Sequence, residues 1–291
     1  CKGFGFTHVT YDPLQQTAVA KASELTFGKY GIPTYELSNA QVIVNFGSDY
    51  LETWVSPVEF SQKWSRARRA AEPVKVVHVE PRLSLTGGNA DIWLQAKPGT
   101  EVRLALALIK QLLERGRGNG LDPEKRGQMT KLVEQVDLGS VSRETGVPTE
   151  KILLVAQLLA DAPASVVLGG GAAASTPNPL PLLVAVNLLN LLLGNVGRTV
   201  NIAEMRTPQS SIDAMKQLVD DLEAQRVDLL FVYGTNPAFT LPSSFGFTYG
   251  AKKAGIVSPQ TSGGTTVVFS SHFDETAVHD AEAPEIYTTL E

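Results

Sequence analysis

The 291 residues carry 25 Lys and Arg against 30 Asp and Glu, a formal net charge of −5, so no basic field attracts a phosphate backbone and nucleic acid is not an expected partner. Their length accommodates about two domains at the usual size of roughly 150 residues each. The single cysteine, Cys1, excludes a disulfide framework and any iron–sulfur cluster or zinc site made from thiolates of this chain alone.

Short β-branched runs that end in glycine and precede helical patterns recur along the chain, the pattern of parallel sheets with crossover helices. The run 41–47 (QVIVNFG) leads to a helix expected from about Pro57 to Ala71, and 74–80 (VKVVHVE) leads through a loop to a helix from about Glu101 to Arg115. Residues 117–150 read as a polar helical insert broken at Gly120, Pro123, Gly146 and Pro148. The run 164–171 (ASVVLGGG) precedes an apolar helix at about 180–193; that helix is too short for about 30 Å of hydrocarbon and carries Asn187 and Asn190, so a buried helix is expected. Runs 227–234 (VDLLFVYG) and 265–271 (TTVVFSS) close the set.

Strands apolar at nearly every position are those covered by helices on both faces. The expected fold is therefore α/β, two Rossmann-like parallel-sheet domains with covering helices. The Ala-Pro-Ala at 162–164 marks the expected seam, giving domains 1–161, with the insert, and 162–291. Without a start methionine or cleavage site, and with Glu291 falling at no helix stop, the chain reads as part of a longer one.

Ligands in open parallel sheets bind at the carboxyl ends of the strands, which selects four loops. In 46–54, Gly47 permits a tight turn and Ser48 offers a hydroxyl and backbone N–H to a phosphate, while Asp49 and Glu52 repel one; the structural alternative has Asp49 or Ser56 capping a helix and Trp54 in the core. In 80–100, Glu80 suits a ribose and Arg82, Ser84 or Thr86 a phosphate, against the alternative of an Arg82–Asp91 pair pinning the loop. The glycines of 168–176 either cradle a diphosphate or bring strand and helix close together. In 233–242, Asn236 before Pro237 reads as a turn. His8, His78, His272 and His279 lack metal-helix spacing, and His78 reads as a core residue.

Three stretches of the chain, two of them among these loops, resemble one family. Residues 80–108 (EPRLSLTGGNADIWLQAKPGTEVRLALAL), the Gly234-Thr235-Asn236-Pro237 strand end, and 272–291 (HFDETAVHDAEAPEIYTTLE) are similar, in order, to the central domains of the molybdopterin oxidoreductase superfamily of the dimethyl sulfoxide reductase type. Where a pterin nucleotide is bound, the resemblance implies that Gly47, Ser48, Glu80, Arg82, Ser84, Lys97, Gly99, Thr100, Gly234 and Asn236 line it. The chain departs from the family pattern at Gly47-Ser48-Asp49, where Gly-x-Asn is common, and at Glu80, where aspartate is common. No equivalent of the family's metal ligand is found in 5–16; Cys1 lies too early and Asp12 is a poor candidate.

The phrases at 46–60 and 188–199 further resemble the molybdopterin-like half of the large iron–sulfur subunit of alternative complex III, a quinol-oxidising electron-transfer complex. That resemblance implies a cofactor-free, non-catalytic scaffold on the periplasmic face of the bacterial cytoplasmic membrane, with iron–sulfur clusters elsewhere in the subunit. Its implied partners are the iron–sulfur domain of the same subunit, a multihaem cytochrome c subunit and an integral-membrane quinol-binding subunit. For such a scaffold the Leu51–Pro57 and Ala238–Pro242 loops are candidate interface segments. The alternatives are an active molybdenum or tungsten oxidoreductase holding molybdopterin guanine dinucleotide, and a nicotinamide-dependent dehydrogenase, against which the lack of G-x-G-x-x-G counts.

Overall fold

The structure, a computed structural model, describes residues 5–10, 16–176, 178–208, 212–253 and 265–277. Cys1, Asp12 and His279, and the stretch 278–291 of the family-like C-terminal segment, lie outside the described residues. The chain forms two compact units, a larger one spanning Gln16–Pro208 and a smaller one combining Cys1–Gln15 with Gln209–Glu291.

The larger unit is built on four parallel strands: β2 (Val42–Phe46), β3 (Lys75–Val79), β4 (Ile92–Leu94) and β5 (Ser165–Gly169), in spatial order β4-β3-β2-β5. Every residue of β2 is buried, because side chains alternate between two cores. Val42, Val44 and Phe46 enter one core with α4 (Glu101–Glu114), α7 (Thr149–Asp161) and α8 (Leu180–Leu192). Ile43 enters the other with α1 (Thr17–Phe27) and α2 (Pro57–Arg68). Helices on both faces explain the uninterrupted apolar runs, and the α/β architecture with flanked parallel sheets is as the sequence led us to expect.

The insert folds as α5 (Pro123–Val133) and α6 (Leu138–Thr145). Asp122 caps α5 by accepting from the N–H groups of Glu124 and Lys125, and Gly146, at φ +77, ends α6 in the left-handed conformation.

The seam expected near Ala162 is not a boundary between these units. Strand β5 follows it directly and pairs along its whole length with β2, from Val42 opposite Ser165 to Phe46 opposite Gly169. The Ala-Pro-Ala is the helix-to-strand turn of a crossover, and the larger unit continues to Pro208. An antiparallel pair, β1 (Ile32–Tyr35) with β6 (Val200–Arg206), was also not expected.

The two asparagines of α8 are both buried. Asn190 accepts from the Val167 N–H at 3.0 Å and donates to the Val167 carbonyl at 2.8 Å, so its amide satisfies the free edge of β5 as a neighbouring strand would. Among the described residues no helix is long and apolar enough to cross a membrane.

In the smaller unit β7 (Leu229–Tyr233) and β8 (Thr265–Phe269) pair in parallel. Helices α9 (Ile212–Glu223) and α11 (Phe247–Lys253) supply Met215, Val219, Leu222 and Phe247 to its core, to which Val9 and Leu230 also pack.

Candidate functional site

Because β2 begins the sheet and β5 returns on its other side, the chain order reverses between them, and the crevice outside their carboxyl ends is where such a sheet receives a nucleotide. Here that crevice is filled by the chain itself. The Gly170 N–H donates to the Phe46 carbonyl at 3.2 Å and the Ala172 N–H to the Gly47 carbonyl at 3.0 Å. A Cβ on Gly171 would lie 2.5 Å from the Gly47 carbonyl oxygen, and one on Gly47 would lie 2.6 Å from the Ala173 Cβ. A Cβ on Gly170 would meet the Trp54 indole nitrogen at 2.3 Å. Trp54 is 1% exposed, stacks on Phe60 at 5.3 Å between ring centres, and donates from Nε1 to Gln16 Oε1 at 3.1 Å. The glycines therefore serve close approach of the loops after β2 and β5.

On the other side of β2 the polar residues bond one another, leaving Glu80 Oε1 and Asp49 Oδ2 buried without a hydrogen-bond partner. Asn45 and His78 are opposite each other in the β2–β3 register. The Asn45 amide orientation is fixed because Oδ1 accepts from the Ser48 N–H at 3.2 Å and also from its hydroxyl, while Nδ2 donates to the Ser48 carbonyl at 2.6 Å. Nδ2 also donates to His78 Nδ1 at 2.8 Å, which places the imidazole proton on Nε2, donated to Glu80 Oε2 at 3.0 Å. Burial pushes the His78 pKa down, and Glu80 opposes that shift. Glu80 Oε2 also accepts from the Ser84 N–H at 3.3 Å, and Ser84 Oγ from the Gly87 N–H at 3.1 Å, capping α3 (Leu85–Gly88). Asp49 Oδ1 takes the Thr86 hydroxyl at 2.5 Å and the Thr86 N–H at 3.2 Å, and Thr86 Oγ1 accepts from Leu51 N–H at 3.1 Å. The loops after β2 and β3 are thereby clamped together.

Of the residues expected at a nucleotide, Ser48, Glu80 and Ser84 thus meet in one buried network, with Gly47 in the adjoining glycine contact. Arg82 stands at its rim, mostly exposed, its Nε 3.5 Å from Glu80 Oε1, too poorly aligned for a hydrogen bond. The expected Arg82–Asp91 pair does not form: Asp91 is held by Arg68 at 2.8 Å and by the Val76 N–H at 2.7 Å, because α2 runs past the loop.

Lys97, Gly99 and Thr100 form a separate turn closed by the Thr100 N–H on the Lys97 carbonyl at 3.2 Å, with Gly99 at φ +80. The Lys97 N–H donates to the Thr145 carbonyl at 2.9 Å, and its Nζ to the Arg143 carbonyl at 3.3 Å, tying the turn to α6. Beside it burial raises the Glu101 pKa, against the Glu101 and Gly99 N–H groups that hold it down.

Gly234 and Asn236 belong to the smaller unit. Asn236 Nδ2 donates to Glu275 Oε2 at 2.6 Å and its Oδ1 accepts from Thr276 Oγ1 at 2.7 Å, so the Gly-x-Asn-Pro turn and the Glu-Thr-Ala segment clasp at the carboxyl ends of β7 and β8. The Asn236 hydrogen bond holds the Glu275 carboxyl below its ordinary pKa. Gly234, at φ +62, has nothing among the described residues within 4 Å of a Cβ built on it, in contrast to Gly47 of the larger unit.

The interface reading of the Leu51–Pro57 loop is overturned, since Trp54 is buried in its own unit. In the Ala238–Pro242 loop Phe239 is exposed. Asn45 is not among the residues that the sequence singles out, and Asp49 clamps Thr86 in place of the helix cap expected of it; a polar residue inside each of two apolar strands, Asn in VIVNF and His in KVVHV, was the available signal. Among the described residues no group of three or more His, Cys, Asp or Glu side chains is placed to hold a metal ion.

No family model matches the sequence. Individual relatives do. The chain is 26% identical over 282 residues to the molybdopterin-binding-like subunit of menaquinone reductase from Nitratidesulfovibrio vulgaris, matching 91% of this chain and 39% of that protein. Over 89 residues it is 34% identical to the molybdopterin-containing subunit of arsenate respiratory reductase from Shewanella, 31% of this chain and 10% of the relative. The chain is homologous to subunits of the molybdopterin oxidoreductase family. Among solved structures, acetylene hydratase from Pelobacter acetylenicus shares the fold, with a TM-score of 0.54 at 19% identity over 65% of this chain and 26% of that one. The chain thus spans well under half the length of the relatives it matches.

Proposed function

We propose that this chain is a scaffold segment of a quinol-oxidising, membrane-associated electron-transfer complex of the alternative complex III kind, and that its larger unit holds no pterin nucleotide. The observation that carries the proposal is the self-filled crevice between β2 and β5, where Gly171 abuts the Gly47 carbonyl and Trp54 covers Gly170. The second support is that Ser48, Ser84 and one carboxylate oxygen of Glu80 spend their hydrogen bonds on Asn45, His78 and backbone groups. The relative matched over 91% of this chain is itself a "molybdopterin-binding-like" subunit of a menaquinone reductase, which favours a quinone-linked assembly.

On this reading the fold acts through packing. It would adjoin the iron–sulfur domain of its own subunit, a multihaem cytochrome c subunit and an integral-membrane quinol-binding subunit, on the periplasmic face. Metal analysis of the purified complex, with fluorescence of acid-extracted pterin, tests the proposal. The expected result is iron without molybdenum, tungsten or pterin; stoichiometric molybdenum or tungsten would overturn it in favour of an active bis-pterin oxidoreductase. The open Gly234 turn of the smaller unit, and the Glu80 Oε1 and Asp49 Oδ2 atoms buried without a hydrogen-bond partner, stand on the side of that second reading.

A further inference from the structure

Asn119 is the one asparagine of the sequence that precedes a glycine. It stands in the turn 115–120 that joins α4 to α5, where Gly118, at φ +82, reverses the chain and both Asn119 and Gly120 are exposed. Among the described residues no hydrogen bond holds the Asn119 side-chain amide or the Gly120 N–H. The exposed Asn89 and Asn201 are held instead. Asn89 Nδ2 donates to the Leu85 carbonyl at 2.9 Å, and Asn201 Oδ1 accepts from the Ala203 N–H at 2.9 Å. Each of those two also precedes a residue with a side chain, Ala90 or Ile202, which crowds the main-chain nitrogen.

A free amide beside an unhindered, unbonded main-chain nitrogen is the arrangement in which asparagine, a thermolabile residue, closes on its own chain. We infer that Asn119 is a modification site, deamidating spontaneously through a cyclic imide. The Gly120 nitrogen, on losing its proton, attacks Asn119 Cγ; the new N–C bond closes a succinimide and the side-chain amide departs as ammonia. Water then opens the ring. Opening at Cγ gives aspartate with the main chain as before, while opening at the main-chain carbonyl carbon gives isoaspartate, whose chain runs through Cβ. In sum one amide and one water become one carboxylate and one ammonia. The isoaspartate form lengthens the main chain by a methylene within a turn that is fixed in place. The Leu121 N–H donates to the Gly118 carbonyl at 3.1 Å, and a Cβ on Gly118 would meet Leu192 Cδ1 at 2.5 Å. The modification therefore disturbs the seat of the turn against α8 as well as adding a negative charge beside Arg117.

The test uses the full-length subunit, aged at neutral and at mildly alkaline pH in water enriched in heavy oxygen. Peptide mass spectrometry with electron-driven fragmentation should find residue 119 converted to isoaspartate and aspartate together, with one heavy oxygen taken up per event. Conversion should be faster at the higher pH, because the attacking nitrogen must lose its proton, and an order of magnitude ahead of that at Asn89 and Asn201. Gly120 lies outside the left-handed region and a Cβ built on it meets nothing within 4 Å, so Gly120→Ala fits the fold while its methyl shields the nitrogen. That variant should slow the conversion by an order of magnitude or more. An intact amide at 119, conversion no faster than at Asn89, aspartate without isoaspartate, or an unslowed Gly120→Ala variant would each overturn the proposal.

Discussion

Two strand ends in this chain share a local plan and come out differently. After β2 the chain turns at Gly47, φ +69, into Ser48-Asp49; after β7 it turns at Gly234, φ +62, into Thr235-Asn236. Gly47 is pressed against Ala173 and the Gly171 loop, while Gly234 faces open space. The left-handed backbone explains a glycine at both positions, but only the first is also required by a neighbour. A glycine after a strand therefore reports a turn, and whether the turn is a ligand cradle or a packing contact depends on the strand that lies beside it.

Substitution separates the two cases most sharply. Gly171→Ala forces a Cβ onto the Gly47 carbonyl at φ +54, where neither backbone can yield. Left-handed strain and overpacking together should cost about 3–5 kcal/mol. Gly234→Ala carries only the strain, about 1–2 kcal/mol. All three tryptophans, Trp54, Trp64 and Trp93, lie in the larger unit, so urea unfolding followed by tryptophan fluorescence reads that unit selectively. Gly171→Ala should lower its midpoint and Gly234→Ala should leave it unmoved; equal effects would remove the distinction between a closed and an open mouth.

The buried network of the larger unit ranks next. His78→Ala leaves the Asn45 amide and the Glu80 carboxylate short of partners inside the sheet, a loss of about 3 kcal/mol. If the fluorescence midpoint moved no further than for an exposed histidine such as His272, the loops after β2 and β3 would not be clamped through this side chain.

Sequence pattern made the strands legible because burial on both faces writes itself as continuous apolar runs, and all five runs singled out, from 41–47 to 265–271, contain strands. It misplaced the domain seam because a helix-to-strand turn inside a crossover and a linker between domains use the same Ala and Pro residues. The candidate residues were legible as a set, since Ser48, Glu80 and Ser84 do converge. Their engagement with one another was not, because it depends on Asn45 facing His78 across a register that no local spacing encodes. Trp54 was similarly ambiguous until Gly170, just after β5, was placed beneath it.

Acidity gives a weaker handle on the same contrast. Burial holds the His78 pKa below its ordinary value, so below about 6.5 the unfolded chain takes up a proton that the folded network refuses. Stability of the larger unit should therefore fall as pH is lowered from about 6.5 toward the folded value. Urea midpoints across this range should show the slope, and His78→Gln should flatten it. An unchanged slope in that variant would assign the effect to other groups.

The smallest effect belongs to the open mouth. Asn236 joins the Gly-x-Asn-Pro turn to Glu275 and Thr276; the exposed Glu275 recovers its lost bond from water, while the buried Thr276 hydroxyl still accepts from the Ala238 N–H. Asn236→Ala should accordingly cost only about 0.5–1.5 kcal/mol. Its signature is elsewhere: the hydrogen bond from Asn236 is what lowers the Glu275 pKa, so in the variant that carboxyl should titrate upward, back toward the ordinary glutamate range, when followed by NMR. The stabilisation that Glu275 gives the wild type is present above the unfolded glutamate pKa and is lost as pH falls through the lowered folded value. Hydrogen exchange at β7 and β8 should then lose that acid dependence in the variant, while exchange at β2 and β3 stays as before. A Glu275 that titrates unchanged would mean that Asn236 does not hold Glu275, leaving the two segments joined through Thr276.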